Sequence, residues 1–428
     1  MKLPMGLVVD LLLGQRDAAM YVLNHPADIK HVLVTNQDNY RKAPVPPVES
    51  RIFGQGVLHT EGEIHHRRRR LFLPFFHGNH AAAYTDLITG KACDLVGHWQ
   101  HGTTVDIEHE MAHLTLSVIW RLLFGRDVDS EADTIREAIA VGQSLIKLQY
   151  DSLLASCTPL WVPTKLHRRF TRGHRSMEAM IRRMIEERRT ASHQSDDVLA
   201  LLLAARNADG RPLSDKEIRD EIVTFLLAGH ETTANALTWT WFLLAQFRPV
   251  QERLACELNQ VLGGRCPTAA DVPRLRYTKM VWEESLRLYP PAWSLHTRVA
   301  HAQDRLPSGA VLPSRAWVFI SPWSLHRNAR WFPDPNRFDP ERFSDEAKPT
   351  HTPYSYLPFG AGGRRCLGES FAELEGLLIL ATVASRFQLR LVDGQTIQPE
   401  PVMTLRPNVP VRMVVQRIDR EEPHPAVV

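Results

Sequence analysis

Cysteine is scarce in this chain of 428 residues, and neither sign of charge is in clear excess. The five cysteines stand apart at positions 93, 157, 256, 266 and 366, and no two of them form a CxxC pair. This usage argues against a disulfide framework and predicts a reducing, cytoplasmic location. With 51 Lys and Arg against 48 Asp and Glu, the formal net charge is only +3. Such a balance gives no electrostatic case for a nucleic-acid partner, and we expect none.

Long hydrophobic runs are also missing. No stretch reaches the roughly 18 uncharged apolar residues that a membrane span requires. The apolar segment Leu7–Leu13 is interrupted by Asp10, and no small-residue cleavage site follows it. We therefore predict a strand there, with neither a signal peptide nor a transmembrane anchor. Apolar residues make up 44% and charged residues 23% of the chain, which excludes a disordered or fibrous protein.

Hydrophobic periodicity predicts one domain over residues 1–428, mainly α with a smaller β-rich region. Short strand-like runs, among them Ala18–Leu23, fill the β-rich parts at about 1–60 and 292–428. Helical periods dominate from about 61 to 291, and a late helix is predicted over about 367–385. Neither an internal repeat nor a low-complexity linker divides the chain.

One helix is predicted to be much longer than the others. Ser214 and Glu217 have the spacing of a capping box, and an apolar pattern then continues to about Phe247, where Arg248-Pro249 stops it. The prediction is a helix of about 33 residues and roughly 50 Å, long enough to cross a whole domain of this size.

A glycine loop followed by a cysteine is the most distinctive motif. Within the segment from Phe359 to Gly368, Cys366 follows the glycines and stands at the start of the late helix. The helix dipole, loop N–H donors and the neighbouring Arg364 and Arg365 would all favour a thiolate. An ionised sulfur is a nucleophile or a metal ligand, whereas a cysteine beside a glycine turn is more often just buried.

This segment, read as F-x-x-G-x-R-x-C-x-G, resembles the haem-binding loop of the cytochrome P-450 family. Five positions match, namely Phe359, Gly362, Arg364, Cys366 and Gly368. The resemblance implies that the Cys366 thiolate is the axial iron ligand of haem b. It also implies the fold of that family, mainly α around a long central helix, and it extends over most of the chain. Members often carry a further N-terminal segment, so we expect a short, soluble, bacterial-type member.

Two more motifs of the same family follow in the expected order. Glu284-Ser285-Leu286-Arg287 resembles its E-x-x-R helix, and the segment Pro340–Phe343 resembles its P-E-R-F loop. The resemblance implies that Glu284, Arg287 and Arg342 form a buried charge network that holds the loop leading to Cys366.

The long helix contains the sequence from Ala228 to Thr233, AGHETT. Ala228 and Thr232 are four residues apart and share a face, and the small residues Ala228 and Gly229 would let a flat cofactor approach the backbone. The resemblance implies that Glu231 and Thr232 are an acid–alcohol pair, which delivers protons during the activation of dioxygen.

Several basic residues are candidates for contacts with the haem propionates. His65 and Arg69 are four apart on a predicted helix and resemble a family motif with this role, although many members have Trp at the first position. Arg298 and Arg364 match two further contacts, since arginine binds carboxylates with bidentate hydrogen bonds. The remaining arginines of these segments could form a basic face for an acidic electron-transfer protein; they are Arg67, Arg68, Arg70 and Arg365.

One motif indicates a different chemistry. His109-Glu110-Met111-Ala112-His113 spells H-E-x-x-H, the signature of zinc metalloproteases. Leu116 and Ile119 stand where the extended form of that motif requires Gly and His, so a third ligand has no motif of its own. Zinc proteolysis therefore remains a remote alternative.

The resemblance implies a haem-dependent monooxygenase that hydroxylates or epoxidises a lipophilic small molecule with one atom of O2. Electrons would come from NAD(P)H through an external ferredoxin or flavodoxin with its reductase, because this chain contains no flavin or iron–sulfur segment. Alternatives are a haem-thiolate isomerase or dehydratase, a peroxide-driven peroxygenase and a haem sensor. We expect a monomer, and fatty acids, terpenoids, steroids and polyketides all remain open as substrates. The candidates to line the apolar pocket are Phe225, Ala228, Trp293, Leu295, Met403 and Leu405.

Overall fold

The computed structural model describes residues 2–4, 19–76, 81–128, 132–152, 155, 158–190 and 196–418. The predicted strand over Leu7–Leu13 and the cysteine at position 157 lie outside these ranges. Within them the protein is mostly helical with small sheets, as predicted.

The helices occupy chiefly the first two thirds of the described chain. In chain order they are α1 (Pro26–Lys30), α2 (Pro47–Phe53), α3 (Gly62–Phe76), α4 (Ala81–Gly97), α5 (Ile107–Phe124), α6 (Ala132–Asp151), α7 (Lys165–Thr190), α8 (Val198–Ala204), α9 (Asp215–Gln246), α10 (Arg248–Leu262), α11 (Arg276–Leu288), α12 (Pro322–Leu325) and α13 (Glu369–Ala384). A π-helical turn, His31–Thr35, continues α1, and short 3-10 turns include Pro340–Phe343 and Gly362–Arg364. The late helix α13 begins two residues after the predicted start.

Short strands form the remaining regular structure. They are β1 (Lys2–Pro4), β2 (Ala19–Leu23), β3 (Tyr40–Lys42), β4 (Thr104–Asp106), β5 (Arg298–Ala300), β6 (Asp304–Arg305), β7 (Val311–Leu312), β8 (Trp317–Ile320), β9 (Phe387–Leu391), β10 (Pro399–Pro401), β11 (Leu405–Pro407) and β12 (Arg412–Arg417). A five-stranded sheet has the order β1-β2-β8-β5-β3, in which β2 and β8 are parallel. A three-stranded sheet has the order β4-β12-β9, and β6-β7 and β10-β11 are hairpins.

The central helix α9 has 32 residues, close to the predicted length. Ser214 caps it, and the capping box with Glu217 is complete. The helix packs along α5 and also contacts α7, α11 and α13, so apolar residues cover most of its circumference. A buried cross-link adds to this packing, since Thr115 Oγ1 on α5 donates to the carbonyl oxygen of His230 at 2.9 Å.

Two of the scattered cysteines are bonded to each other. Cys93 on α4 and Cys266 in the loop after α10 form a disulfide, although they are 173 positions apart. The prediction from spacing missed this pair because sequence separation says nothing about which elements pack together. Cys256 and Cys366 are free. Among the described residues, no helix is long and apolar enough to cross a membrane.

Candidate active site

The loop before α13 is fixed in one backbone conformation. Gly362 has φ +67°, and a Cβ atom there would lie 1.8 Å from the carbonyl oxygen of Leu33, so only glycine fits. The N–H of Gly363 donates to Oε1 of Gln37 at 2.9 Å, and the N–H of Cys366 donates to the carbonyl oxygen of Phe359 at 2.9 Å. These contacts place the Cys366 side chain at the N-terminal end of α13.

The electrostatics of Cys366 differ from the prediction. Burial raises the pKa of its thiol to about 11, and this effect outweighs the N–H of Gly368 and the charges of Arg69 and Arg365, which act in the opposite direction. The side chain is nevertheless accessible, so protein surrounds the sulfur without covering it. A thiolate here therefore requires a further positive charge, such as a metal ion bound to the sulfur.

The central helix also has accessible positions in its buried middle part. Residues 218–227 and 233–241 are buried, yet Ala228 is exposed and Thr232 is half-buried. Accessible positions that are four apart in the middle of a buried helix indicate a local cavity against one face. Thr232 Oγ1 donates to the carbonyl oxygen of Ala228 at 2.6 Å. Gly229 has a different role than predicted, since a Cβ there would lie 2.8 Å from Ile119 and its small size serves the contact with α5.

Glu231 lies on another face of the helix than Thr232. Its Oε1 atom accepts a hydrogen bond from the hydroxyl of Thr404 in the β10–β11 turn, and Thr404 Oγ1 in turn accepts from Asn235 Nδ2 at 2.9 Å. Burial raises the pKa of the Glu231 carboxyl, although hydrogen bonding from Thr404 and Gln143 acts against this. The carboxyl is thus directed to the hairpin. Thr404 and Gln143 carried no motif in the sequence, whereas Asn235 could have been found as the i+4 neighbour of Glu231.

Three of the predicted propionate contacts lie together. His65, Arg298 and Arg364 line one cavity of about 190 Å³ with Lys42, which the sequence analysis missed. Burial and the neighbouring cations lower the pKa of His65 to about 3, of Lys42 to about 7 and of Arg298 to about 10. Glu61 lines the same cavity and pairs with Arg364 Nη2 at 2.8 Å. The cavity has an excess of positive charge, as a binding site for carboxylates requires.

The other arginines of these segments have different surroundings, and Arg68 contradicts its prediction. Arg69 Nη1 donates to the carbonyl oxygen of Arg365 at 2.5 Å and so contacts the cysteine loop. Arg68 cannot belong to a basic surface, because it is buried and its Nη1 lies 2.7 Å from Glu221 on the central helix. Arg67 Nη2 donates to Asn207 at 3.2 Å. Arg70 and Arg365 are exposed.

The predicted charge network is present in full. Arg287 Nε lies 2.6 Å from Glu284 Oε2, and Arg342 Nε lies 3.5 Å from Glu284 Oε1. Arg287 Nη1 also donates to the carbonyl oxygen of His326 at 2.8 Å, and the N–H of Leu357 donates to His326 Nε2 at 2.8 Å. The network therefore reaches the segment that leads to the cysteine loop.

The predicted pocket residues do not share one environment. Phe225 packs in the core against Phe72 and Phe76, and Leu405 is only 2% exposed. Leu295 lies beside Gly360 of the cysteine loop, since a Cβ atom at position 360 would be 3.8 Å from Leu295 Cδ2. Trp293 and Met403 are half-buried, and Ala228 is exposed as described. Phe225 and Leu405 are thus core residues.

The H-E-x-x-H motif does not form a metal site in the described part of the chain. Glu110 accepts a hydrogen bond from Trp99 Nε1 at 3.3 Å, and the ring of His109 contacts Arg136. No group of three or more potential metal ligands of the His, Cys, Asp and Glu types occurs among the described residues.

Comparison with known proteins agrees with this geometry. The family described as cytochrome P450 matches residues 5–415. This chain belongs to the cytochrome P450 family. Cyclooctatin synthase of Streptomyces melanosporofaciens is 38% identical over 96% of this chain and 88% of its own length. Cyclooctat-9-en-7-ol 5-monooxygenase of the same species is 37% identical, with 92% and 84% covered. Pentalenene oxygenase of Streptomyces avermitilis is 30% identical, with 94% and 88% covered.

The solved structures include a close match in fold. Cyanobacterial CYP120A1 with bound retinoic acid has a TM-score of 0.84 at 26% identity, with 94% of this chain and 90% of that chain covered. The P450 described here is therefore an oxygen-incorporating oxidoreductase with a haem cofactor, and it acts on lipophilic molecules.

The residues of this P450 fit a haem group. The accessible sulfur of Cys366 is a ligand of the type that binds haem iron in this family. The cation-rich cavity around Arg298 and Arg364 suits the two carboxylates of a porphyrin. Accessible positions at Ala228 and Thr232 leave space for a flat group beside the central helix.

Proposed function

We propose that this P450 hydroxylates or epoxidises a cyclic, terpene-like molecule with one atom of O2, using electrons from NAD(P)H that a separate protein delivers. The observation that carries the proposal is the Cys366 side chain, which follows the glycine loop and is accessible although protein surrounds its sulfur. The names of the relatives, cyclooctatin synthase and pentalenene oxygenase, support the substrate class.

Each part of the haem would contact a different group of residues. Cys366 would bind the iron, and His65, Arg298 and Arg364 would bind the carboxylates. Arg69 holds the cysteine loop through the carbonyl of Arg365 and adds positive charge near the sulfur. The bound haem supplies the activation of O2 at a thiolate-ligated iron.

Proton delivery is the role of the central helix. The hydroxyl of Thr232 lies on the accessible face of α9, beside the exposed Ala228, and can pass on a proton there. The Glu231 carboxyl contacts Thr404 and is turned away from Thr232. Glu231 would therefore supply protons to the Thr232 hydroxyl through a water molecule or after a rotation of its side chain. The presence of Glu231 and Thr232 favours a monooxygenase over an isomerase, a dehydratase or a peroxygenase. Those enzymes would use a preformed peroxide, which requires no proton delivery to dioxygen.

The external electron donor would be a ferredoxin or flavodoxin with its reductase. The exposed Arg70 and Arg365 are candidates to contact an acidic donor protein. A single domain, a monomeric state and a cytoplasmic location remain predictions from the sequence.

The absorption spectrum of the reduced, CO-bound protein tests the proposal. A thiolate ligand shifts the Soret band strongly to the red, and Cys366→Ser is expected to abolish this shift. Cys256→Ser is the matched control, since Cys256 is also free and exposed. NAD(P)H-dependent O2 consumption with a surrogate redox pair and a terpene panel then distinguishes a monooxygenase from a peroxygenase, an isomerase or a haem sensor. A protein without haem, or one whose spectrum is unchanged by Cys366→Ser, would contradict the proposal.

A further inference from the structure

Helix α7 has an exposed face that consists largely of cations. From Lys165 to Arg183 the sequence contains seven Lys and Arg residues and a single carboxylate, Glu178. All seven cations are exposed, and on a regular helix they fall within an arc of about 140°. The buried residues of the helix, among them Phe170 and Met177, lie on the opposite side, where α7 packs against α6 and the central helix. The basic face is therefore continuous over about 27 Å.

The carboxylate of this stretch does not neutralise the basic face. Glu178 Oε2 lies 3.4 Å from Nδ1 of His174, and Glu178 Oε1 lies 3.5 Å from Nη2 of Arg219 on the central helix. His174 and Arg219 are both buried. The carboxylate is thus directed toward the protein interior, and its charge is shared with groups that do not belong to the exposed face.

Carboxylates of neighbouring segments pair with two of the seven cations. Arg169 Nη2 lies 3.2 Å from Glu137 Oε1 on α6, and Arg183 Nε lies 3.7 Å from Glu187 Oε1. The other five cations have no carboxylate within ion-pair distance in the described ranges; they are Lys165, Arg168, Arg172, Arg175 and Arg182. Their charges face solvent and are available to a partner.

Exposed aromatic rings lie next to the basic face. Trp161, four residues before the start of α7, is 81% exposed, and Tyr150 near the end of α6 is 64% exposed. Leu148 on α6 is 43% exposed. These three side chains flank the connection between two helices that pack against each other. Trp and Tyr in such positions are typical of a membrane–water interface, because one part of the ring system is apolar and the other forms hydrogen bonds.

Cations and aromatic rings on one surface match the chemistry of an anionic bilayer. Each Arg or Lys near such a bilayer strengthens binding by about fivefold, and apolar rings add to this by entering the headgroup region. An acidic protein or a nucleic acid would also attract the cations. The straight basic face and the adjoining rings favour a flat, anionic surface with an apolar interior, and the lipophilic molecules on which this P450 acts dissolve in that interior.

We propose that the exposed face of α7, together with Trp161 and Tyr150, binds the surface of an anionic lipid bilayer. The contact is peripheral, since it is made by the side chains of one surface helix and of the residues next to it. It holds the enzyme at the phase in which a lipophilic substrate is concentrated. This proposal concerns a surface and does not depend on the haem chemistry.

Sedimentation with vesicles tests the contact. The haem-loaded full chain is mixed with vesicles of phosphatidylcholine, or of phosphatidylcholine and phosphatidylglycerol in equal parts. We expect binding to the anionic vesicles to be at least about tenfold tighter at about 0.1 M salt, and to be lost at about 1 M salt, where charges are screened over about 3 Å. Equal binding to both kinds of vesicle, or no binding to either, would overturn the proposal.

Variants assign the binding to α7. The combined variant Arg168→Gln, Arg172→Gln, Arg175→Gln is expected to bind anionic vesicles about a hundredfold more weakly. A control variant removes the same charge from other elements by replacing three exposed arginines with Gln; they are Arg305, Arg330 and Arg412. The control should bind almost as tightly as the unmodified protein. Similar losses in both variants would show a general charge effect and would contradict a specific surface.

Quenching by brominated lipids tests the contribution of Trp161. Anionic vesicles with bromine-labelled chains should quench part of the tryptophan fluorescence, and Trp161→Phe should remove most of that quenching. Trp331→Phe is the control, since Trp331 is half-buried and its Nε1 donates to the carbonyl oxygen of Asn24. Equal quenching in the two variants would exclude Trp161 from the contact.

The same experiment separates the bilayer from other anionic partners. Polyglutamate and a DNA duplex are added as competitors at the same charge concentration as the anionic lipid. Weak competition supports the proposal, whereas release of the protein from the vesicles by either polymer would indicate an acidic protein or a nucleic acid as the partner and would overturn it. Failure of the proposed function appears separately, as loss of the CO-induced Soret shift in the unmodified protein.

Discussion

Nε2 of His326 accepts a hydrogen bond from the backbone N–H of Leu357 at 2.8 Å, while Arg287 donates to the carbonyl oxygen of the same histidine. This contact joins the Glu284–Arg287 ion pair to the chain segment that enters the cysteine loop. Burial and the charge of Arg287 lower the pKa of His326 to about 3, so the ring is neutral and can accept the bond.

Replacement of His326 by Phe is expected to destabilise the protein and to lower its haem content. The N–H of Leu357 would then be buried without a partner, which costs about 1–3 kcal/mol. His301→Phe is the control, since His301 is exposed. Denaturant unfolding and the ratio of Soret to protein absorption measure the two effects; a variant as stable and as haem-rich as the unmodified protein would show that the contact has no structural role.

Two glycines of the cysteine loop are expected to respond very differently to alanine. Gly362→Ala places a Cβ at 1.8 Å from the carbonyl oxygen of Leu33 and at a positive φ, so the loop cannot keep its conformation. Gly368→Ala meets no atom within 4 Å, and the φ of Gly368 is −89°. Haem incorporation should be lost in the first variant and kept in the second, and equal incorporation in both would contradict the loop geometry.

The stability of the protein is expected to depend on Glu375 at neutral pH. Burial raises the pKa of this carboxyl to about 8, against the hydrogen bond from Thr233, so the folded state keeps a proton that the unfolded state releases above its ordinary pKa of 4.5. The contribution of Glu375 to the free energy of unfolding is therefore fully present below pH 4.5 and is lost as the pH rises through 8. The loss is at most about 1.4 kcal/mol per pH unit.

Glu375→Gln should remove this dependence, because the amide stays neutral at every pH. Urea unfolding at pH 5 and at pH 8 should therefore give a larger gain for the variant at pH 8 than at pH 5. Glu373→Gln is a nearby comparison on the same helix, since burial also raises the pKa of Glu373 but less strongly. A gain that is equal at both pH values would contradict the pKa assigned to Glu375.

The hydroxyl of Thr232 is expected to control the fraction of NAD(P)H electrons that is used to form the oxygenated product. Thr232→Ala should divert reducing equivalents to hydrogen peroxide, because the accessible face of α9 would lose its proton-carrying group. Thr238→Ala is the matched control, since Thr238 makes the same bond to the carbonyl four residues earlier but is fully buried. The ratio of peroxide formed to NAD(P)H consumed measures the effect, and similar ratios in both variants would exclude Thr232 from proton delivery.

Local sequence signals predicted the parts of this site that depend on local geometry. The capping box at Ser214 located the central helix, and the E-x-x-R spacing located the Glu284–Arg287 pair, because both are contacts between residues three apart. Long-range contacts were not predictable in this way. Arg68 is buried against Glu221, which is 153 positions away in the sequence, and the partner of Glu231 lies 173 positions away. The protonation of Cys366 was not predictable from local sequence either. The nearby N–H groups and arginines suggested a thiolate, whereas the burial that raises the thiol pKa is visible only in the packed structure.

The bond between Cys93 and Cys266 has a consequence for how the protein is handled. It closes a loop of 173 positions, which in the chain-entropy treatment restricts the denatured ensemble by about 5 kcal/mol at room temperature. Preparations made with and without a thiol reductant would therefore unfold at different denaturant concentrations, although the cysteine loop before α13 is chemically identical in both. Any ranking of variants by melting temperature needs one fixed redox buffer.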